Sequence, residues 1–325
     1  MKPLILSAIV VTAMSTPART SELTSLDSAT EWVNSPPLTA QGLRGKVVLV
    51  QFWTYSCVNW IRTLPYVLAW ERKYREKGLV VIGVHAPEFG FEHDIAKVRW
   101  AAASFRIGYP VAVDNDFAIW RAFGNRYWPA LYLFDGEGRV RYRHFGEEAY
   151  EESERAIQEL LTEAGARDVE RELVAVTPRG AEAAADWPHV RTPETYVGSA
   201  RSENRVSAGD RLRLNEWALD GRWTVQRQAA VLDEPDGRIT FRFHARDLNL
   251  VMTPGREGKP VRFRVLIDGR PPDRAHGLDV DEQGNGTVDE PRMYQLIRQV
   301  APVAERDFEI RFLDPGVEAF VFTFG

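Results

Sequence analysis

"VLVQFWTYSCVNW", residues 48–60, decides how the rest of the chain is read. Its first part extends upstream to "KVVLVQFW" (46–53), an apolar, β-branched and aromatic run that predicts a buried strand. Its second part opens "CVNWIRTLPYVLAWERKYREKG" (57–78), where Ile61, Leu64 and Leu68 recur at helical spacing and Gly78 supplies a stop. Cys57 therefore falls where a buried strand hands over to a helix. A helix N-terminus presents unpaired N–H groups and a partial positive charge, and both stabilise a thiolate. The carboxyl end of a sheet strand is also where open α/β sheets place their sites. A free cysteine can equally be a small buried hydrophobe, and position alone leaves both readings open.

The alternation continues outward. "LVVIGVHA" (79–86) predicts a second buried strand, "DIAKVRWAAASFRI" (94–107) a helix, "YPVAVD" (109–114) a strand and "DFAIWRAFG" (116–124) a short helix. "ALYLFDGEGRVRYRHFG" (130–146) reads as a hairpin, and "YEESERAIQELLTEAG" (150–165) as an amphipathic helix. This is an α/β domain over 24–165, a mixed sheet with helices on both faces. Residues 166–195 include the Ala- and Pro-rich stretch "RGAEAAADWPHVRTPET" and read as a linker. From 196 to 325 short β-like runs separated by turns predict an all-β sandwich.

Net charge is −5 and the pI near 5.8, which excludes a general nucleic-acid or anionic-membrane binder because no basic excess is available to neutralise phosphates. "MKPLILSAIVVTAMSTPA" (1–18) has a basic start, an apolar centre and a small residue at its end, and reads as a cleaved secretory signal. Its apolar run is shorter than the roughly 18 residues a span needs. The chain is expected to be exported, into the periplasm of a Gram-negative host. Cys57 is the only cysteine, so no intrachain disulfide can form.

With "LPYV" (64–67) and "RYWPALYLFD" (126–135), the opening stretch resembles thioredoxin-like domains of the TlpA and DipZ type. The resemblance covers about 30–165. It implies that Cys57 is the attacking thiol, Pro65 the helix proline and Pro129, after Trp128, a cis-proline beside the site. It also implies a second cysteine, where Trp60 stands, and a buried proton-shuttling acid, where Gln51 stands. "GRITFRFHARDLNLVM", "YQLIRQ" and "FLDPGVEAFVFTFG" resemble the C-terminal module of DipZ-type proteins, a jelly-roll sandwich similar to carbohydrate-binding modules.

A dithiol enzyme attacks with one thiol and resolves the mixed disulfide with the other. Trp60 cannot resolve and Gln51 cannot accept a proton, so only the first step remains. Three functions follow as alternatives. One is a monothiol oxidoreductase whose partners are exported cysteine-containing proteins or a small thiol. The second is a non-catalytic scaffold binding through a groove bounded by Trp53, Tyr55, Trp60, Trp128 and Pro129. The third is a one-cysteine peroxidase, from Thr54 three residues before Cys57, although the proline expected ahead of that threonine is Val50. No cofactor or metal is implied, and the histidines lack ligand spacing. His85 and Glu88 are candidates for proton transfer or plain loop residues. Asp279, Asp281 and Glu290 have partial calcium-loop spacing, which a polar hairpin explains as well. Trp217 and Trp223 are either sugar-stacking residues facing a cell-envelope glycan or core.

Overall fold

The computed structural model describes residues 22–255 and 258–325. The expected signal at 1–18 lies outside them. The first domain contains β1 (Glu31–Val33), β2 (Val47–Trp53), α1 (Val58–Tyr74), β3 (Leu79–His85), α2 (Ile95–Ser104), β4 (Val111–Val113), α3 (Ala118–Ala122), β5 (Ala130–Phe134), β6 (Val140–Phe145) and α4 (Tyr150–Glu163). Its sheet runs β1-β4-β3-β2-β5-β6, with β2, β3 and β4 parallel and β1, β5 and β6 antiparallel to their neighbours. Every residue of β2 is buried, because both faces of this central strand are covered. Val47, Leu49 and Trp53 face α1, α2 and α4. Val48, Val50 and Phe52 face α3 and the turn that carries Leu23 and Leu26. Helix α1 stops three residues earlier than the sequence predicts. Arg75–Lys77 tighten into a 3-10 turn, and Gly78 takes φ 102°, a left-handed value that glycine adopts without a Cβ clash.

The second domain is two antiparallel sheets packed face to face. β7 (Thr195–Tyr196), β9 (Trp223–Val225), β10 (Ala230–Leu232), β12 (Asp247–Thr253), β15 (Arg292–Arg298) and β17 (Glu318–Phe324) form one; β8 (Trp217–Asp220), β11 (Arg238–Phe243), β13 (Val261–Ile267), β14 (Asn285–Val288) and β16 (Arg306–Phe312) form the other. Phe241 of one sheet meets Phe322 of the other edge-on with ring centroids 5.2 Å apart. β8 starts only at Trp217, and residues 211–216 before it are not strand. β7 begins one residue before the expected boundary and pairs with β17.

Segment 166–195 is irregular but not a free tether. Val174 N–H donates to Glu154 on α4, and Ala184 C=O accepts from Arg246 of the second domain. The outer face of the β17 sheet is buried as well: Val251, Met293, Phe320 and Val321 share one apolar cluster with residues of α1, α2 and α4. Phe320 packs against Phe89 and Phe91, with centroids 5.0 and 4.8 Å away. No helix among the described residues is long and apolar enough to cross a membrane.

Candidate functional site

Cys57 is the N-cap residue of α1 and is half-buried. Its Sγ donates to the backbone carbonyl of Trp128 at 3.8 Å, and the Trp128–Pro129 peptide that follows is cis. β2 delivers the cysteine and the loop before β5 delivers the carbonyl, and these strands are sheet neighbours. Trp128 is held by its indole N–H, which donates to Ala86 C=O at 3.0 Å. Burial is the largest influence on the thiol and pushes it well above its ordinary range. The N–H groups of Trp60 and Asn59 pull it back, whereas the charges of Glu88 and Glu194 push it further up. Desolvation thus outweighs the helix N-terminus, a balance that the sequence leaves open.

Trp60 is wholly buried and stacks on Trp53 with centroids 4.4 Å apart. Its indole N–H donates to Gln51 Oε1 at 3.3 Å, and Gln51 Nε2 donates to Thr63 Oγ1 at 2.8 Å. The two residues that depart from the thioredoxin pattern are therefore hydrogen-bonded to each other. The groove expected from Trp53, Tyr55, Trp60, Trp128 and Pro129 is corrected by burial. Trp53, Tyr55 and Trp60 expose 0%, 1% and 0% of their surface and are core, because they pack beneath β2 and α1. Pro129 is buried too, and Trp128, partly exposed, remains beside the sulfur through its carbonyl. Thr54 is also wholly buried, so it offers no open hydroxyl to a peroxide.

His85 is buried between Tyr55, stacked at 5.7 Å, and the edge of Trp53. Neither of its ring nitrogens has a protein hydrogen-bond partner, and burial holds its pKa down to about 3. Burial disfavours its charged form, and no protein group stands within hydrogen-bond reach of either nitrogen. Glu88 is not a solvated loop residue: its carboxylate accepts from Arg201 at 2.9 Å and lies 2.8 Å from the Tyr196 hydroxyl. Sequence reasoning missed Tyr196 and Arg201 as the partners of Glu88, since no local pattern tells which residues of the second domain reach the first. It missed Glu92 too, a buried acid that accepts from Ser56 Oγ at 2.6 Å and from the Glu88 and Phe89 N–H groups.

The calcium spacing does not converge. Asp279 pairs with Arg292, Asp281 accepts from Asn285 N–H, and Glu290 pairs with Lys97 of the first domain. Among the described residues no group of three or more side chains could hold a metal ion. Of the two readings left open for the tryptophans of the second domain, Trp217 takes the core one. Trp217 is wholly buried with its N–H on Glu203 C=O, and Trp223 is half-buried edge-on to Phe312.

A mixed sheet with a thiol at the start of the helix after its central strand, beside a cis-proline, defines a thioredoxin-like domain. The Redoxin family profile matches residues 28–161, and a profile described as a thioredoxin-like C-terminal domain matches 192–325. Protein DipZ of Mycobacterium tuberculosis is 39% identical over 266 residues, 74% of this chain and 37% of that protein. The chain thus spans well under half the length of that relative. Thiol-disulfide oxidoreductase YkuV of Bacillus subtilis is 33% identical over 132 residues, 41% of this chain and 88% of that protein. A thioredoxin-like protein solved in its oxidised form is 33% identical and covers 41% of this chain and 90% of its own, with a TM-score of 0.39. The chain belongs to the redoxin family of thioredoxin-like proteins.

Proposed function

We propose that the protein is an exported thiol oxidoreductase that works through one cysteine. The observation that carries this is the placement of Cys57 Sγ against the Trp128 carbonyl at a helix start, with Trp60 buried one turn later. The name of the YkuV relative supports the reaction class. The Cys57 thiolate attacks a substrate disulfide, one substrate sulfur leaves as a thiol, and a mixed disulfide remains. A small external thiol then attacks that disulfide. It returns Cys57 to its reduced form and takes the second substrate sulfur into a new disulfide. The apolar signal-like start at 1–18 supports export to the periplasm or its equivalent.

Insulin reduction tests the reading. The purified chain alone should not turn over, glutathione should bring slow turnover, and Cys57→Ser should abolish it. Unaided turnover at the rate of an ordinary dithiol enzyme would overturn the single-thiol mechanism. A second reading, a binding scaffold, is favoured by the upward push on the thiol. It gains the field if glutathione restores nothing while the Cys57→Ser chain still captures a partner.

A further inference from the structure

Loop 86–92, between β3 and α2, holds Cys57 from two directions. On one side Ala86 C=O accepts from the indole of Trp128, whose own carbonyl takes the hydrogen of Cys57 Sγ at 3.8 Å. On the other side stands Glu92, wholly buried. Its Oε2 accepts from the Glu88 and Phe89 N–H groups at 2.7 and 2.9 Å and so caps the 3-10 turn Gly90–His93. That cap occupies one oxygen only. Oε1 accepts from Ser56 Oγ at 2.6 Å and from the Ser56 N–H at 3.3 Å. Ser56 precedes Cys57 in the turn that the Cys57 N–H closes on Thr54 C=O. One carboxylate thus pins the turn that aims the sulfur to the loop that holds the sulfur's acceptor.

The second domain holds the same loop from outside. Arg201 pairs with Glu88 Oε1 at 2.9 Å, and the Tyr196 hydroxyl lies 2.8 Å from that oxygen. Gln228 Oε1 accepts from the Gly90 N–H at 3.1 Å, and Phe89 and Phe91 pack on Phe320 of β17. We propose that Glu92 is a positioning residue for Cys57, through which the second domain, by holding loop 86–92, keeps the sulfur against the Trp128 carbonyl. A carbonyl accepts from the thiol form alone, since a thiolate has no hydrogen to give. Cys57 seated there is kept as a thiol, and loosening the turn lets the sulfur reach water and ionise. The inference rests on Cys57 being the working thiol, and it adds no chemical step to the exchange described above.

The test is Cys57 alkylation by iodoacetamide in the full-length chain, followed against pH, with thermal melts to confirm folding. In Glu92→Gln the one amide oxygen can keep the two loop N–H groups, which turns the amide nitrogen, a donor, toward the Ser56 N–H. The loop stays capped while its link to the turn is cut. Glu92→Gln should react about threefold faster at neutral pH, and its curve should lie at lower pH. Ser56→Ala, which removes the shorter contact alone, should move both in the same direction by less. Gln228→Ala, at an exposed residue of the second domain, should speed the reaction about twofold in the parent and not at all in Glu92→Gln. Glu154→Ala, which loosens the other end of α1, should melt earlier yet react at the parent rate. A folded Glu92→Gln chain with the parent's rate and curve would overturn the proposal. If that variant does not fold, a parental Ser56→Ala overturns it instead. So would Gln228→Ala reacting like the parent or keeping its effect in Glu92→Gln, and so would a Glu154→Ala gain as large as that of Glu92→Gln, which would trace the effect to lost stability. Alkylation needs no turnover, so a chain that fails the glutathione assay but shows these shifts loses the enzyme reading and keeps this one. A chain that turns over with parental alkylation in every variant does the reverse.

Discussion

The indole of Trp60 does two jobs at once: it stacks on Trp53 and satisfies Gln51. Replacing it removes a ring from a closed core and leaves an amide oxygen unpaired. Trp60→Cys should therefore destabilise the fold by about 3–5 kcal/mol, read from denaturant melts. The new thiol sits three residues after Cys57, and oxidation of the folded variant should join the two, seen as the loss of two hydrogens in the mass spectrum. A folded variant whose thiols cannot be joined would show that these positions are not the pair a dithiol enzyme uses. His85 sets a different residue-scale expectation. Its pKa falls from 6.5 to about 3 on folding. Between those values the unfolded imidazole binds a proton that the folded one does not. Stability should then drop as pH falls through that window, by up to about 1.4 kcal/mol per pH unit. A folded His85→Phe chain should show a shallower acid slope in the same melts. An unchanged slope would assign the acid sensitivity to other groups.

At the scale of elements, one carboxylate fastens three segments. Glu154 of α4 accepts from Trp70 Nε1 at 3.1 Å and from the Tyr74 hydroxyl at 2.6 Å, both on α1, and from the Val174 N–H at 2.9 Å. Lys73 pairs with it at 3.3 Å. Glu154→Ala strands these donors in a buried place and should destabilise the first domain by about 3 kcal/mol. It should also speed proteolysis within 166–195, and an unchanged cleavage pattern would mean the segment is held from its other end. This anchoring bears on what the sequence made legible. The strand before Cys57, the helix after it and the 130–146 hairpin follow from period and turn residues, because β2 is buried on both faces and reads as an unbroken apolar run. Segment 166–195 has no period, and its order comes from partners far along the chain, which no local pattern records. The same holds for the site. Cys57, Trp60 and Gln51 are readable from spacing, whereas Tyr196 and Arg201 meet Glu88 only through the tertiary fold. Trp53 and Tyr55 looked like groove surface because aromatic residues beside a thiol suit both recognition and core, and only burial separates the two.

For the whole molecule, Arg62 joins the domains. It lies buried on α1, paired with Glu147 at 3.0 Å and donating to Phe324 C=O of β17 at 3.2 Å. Burial raises the Glu147 carboxyl more than Arg62 lowers it, so the pair is no net source of stability, but breaking it leaves a charge stranded. Arg62→Ala should destabilise the chain by about 3–5 kcal/mol. With Phe320 and Met293 in one cluster with the first domain's core, calorimetry of the parent chain should give a single unfolding transition. Two resolved transitions would show that the shared apolar face does not couple the halves.

The position of β17 has a consequence for how the protein is made. It lies between β12 on one side and β10 and β7 on the other, although every other strand precedes it in the chain. Where the chain emerges N-terminus first, the first domain can close as soon as α4 is out, because its sheet takes no strand from downstream. The second domain cannot close until β17 arrives, so β7 and the Tyr196 it carries wait for that strand. Each newly made chain therefore passes through a stage in which Cys57 is already seated on its helix while Tyr196, the partner of Glu88, has no sheet to hold it. During that interval the thiol meets its surroundings without the second domain, and the arrival of β17 ends it.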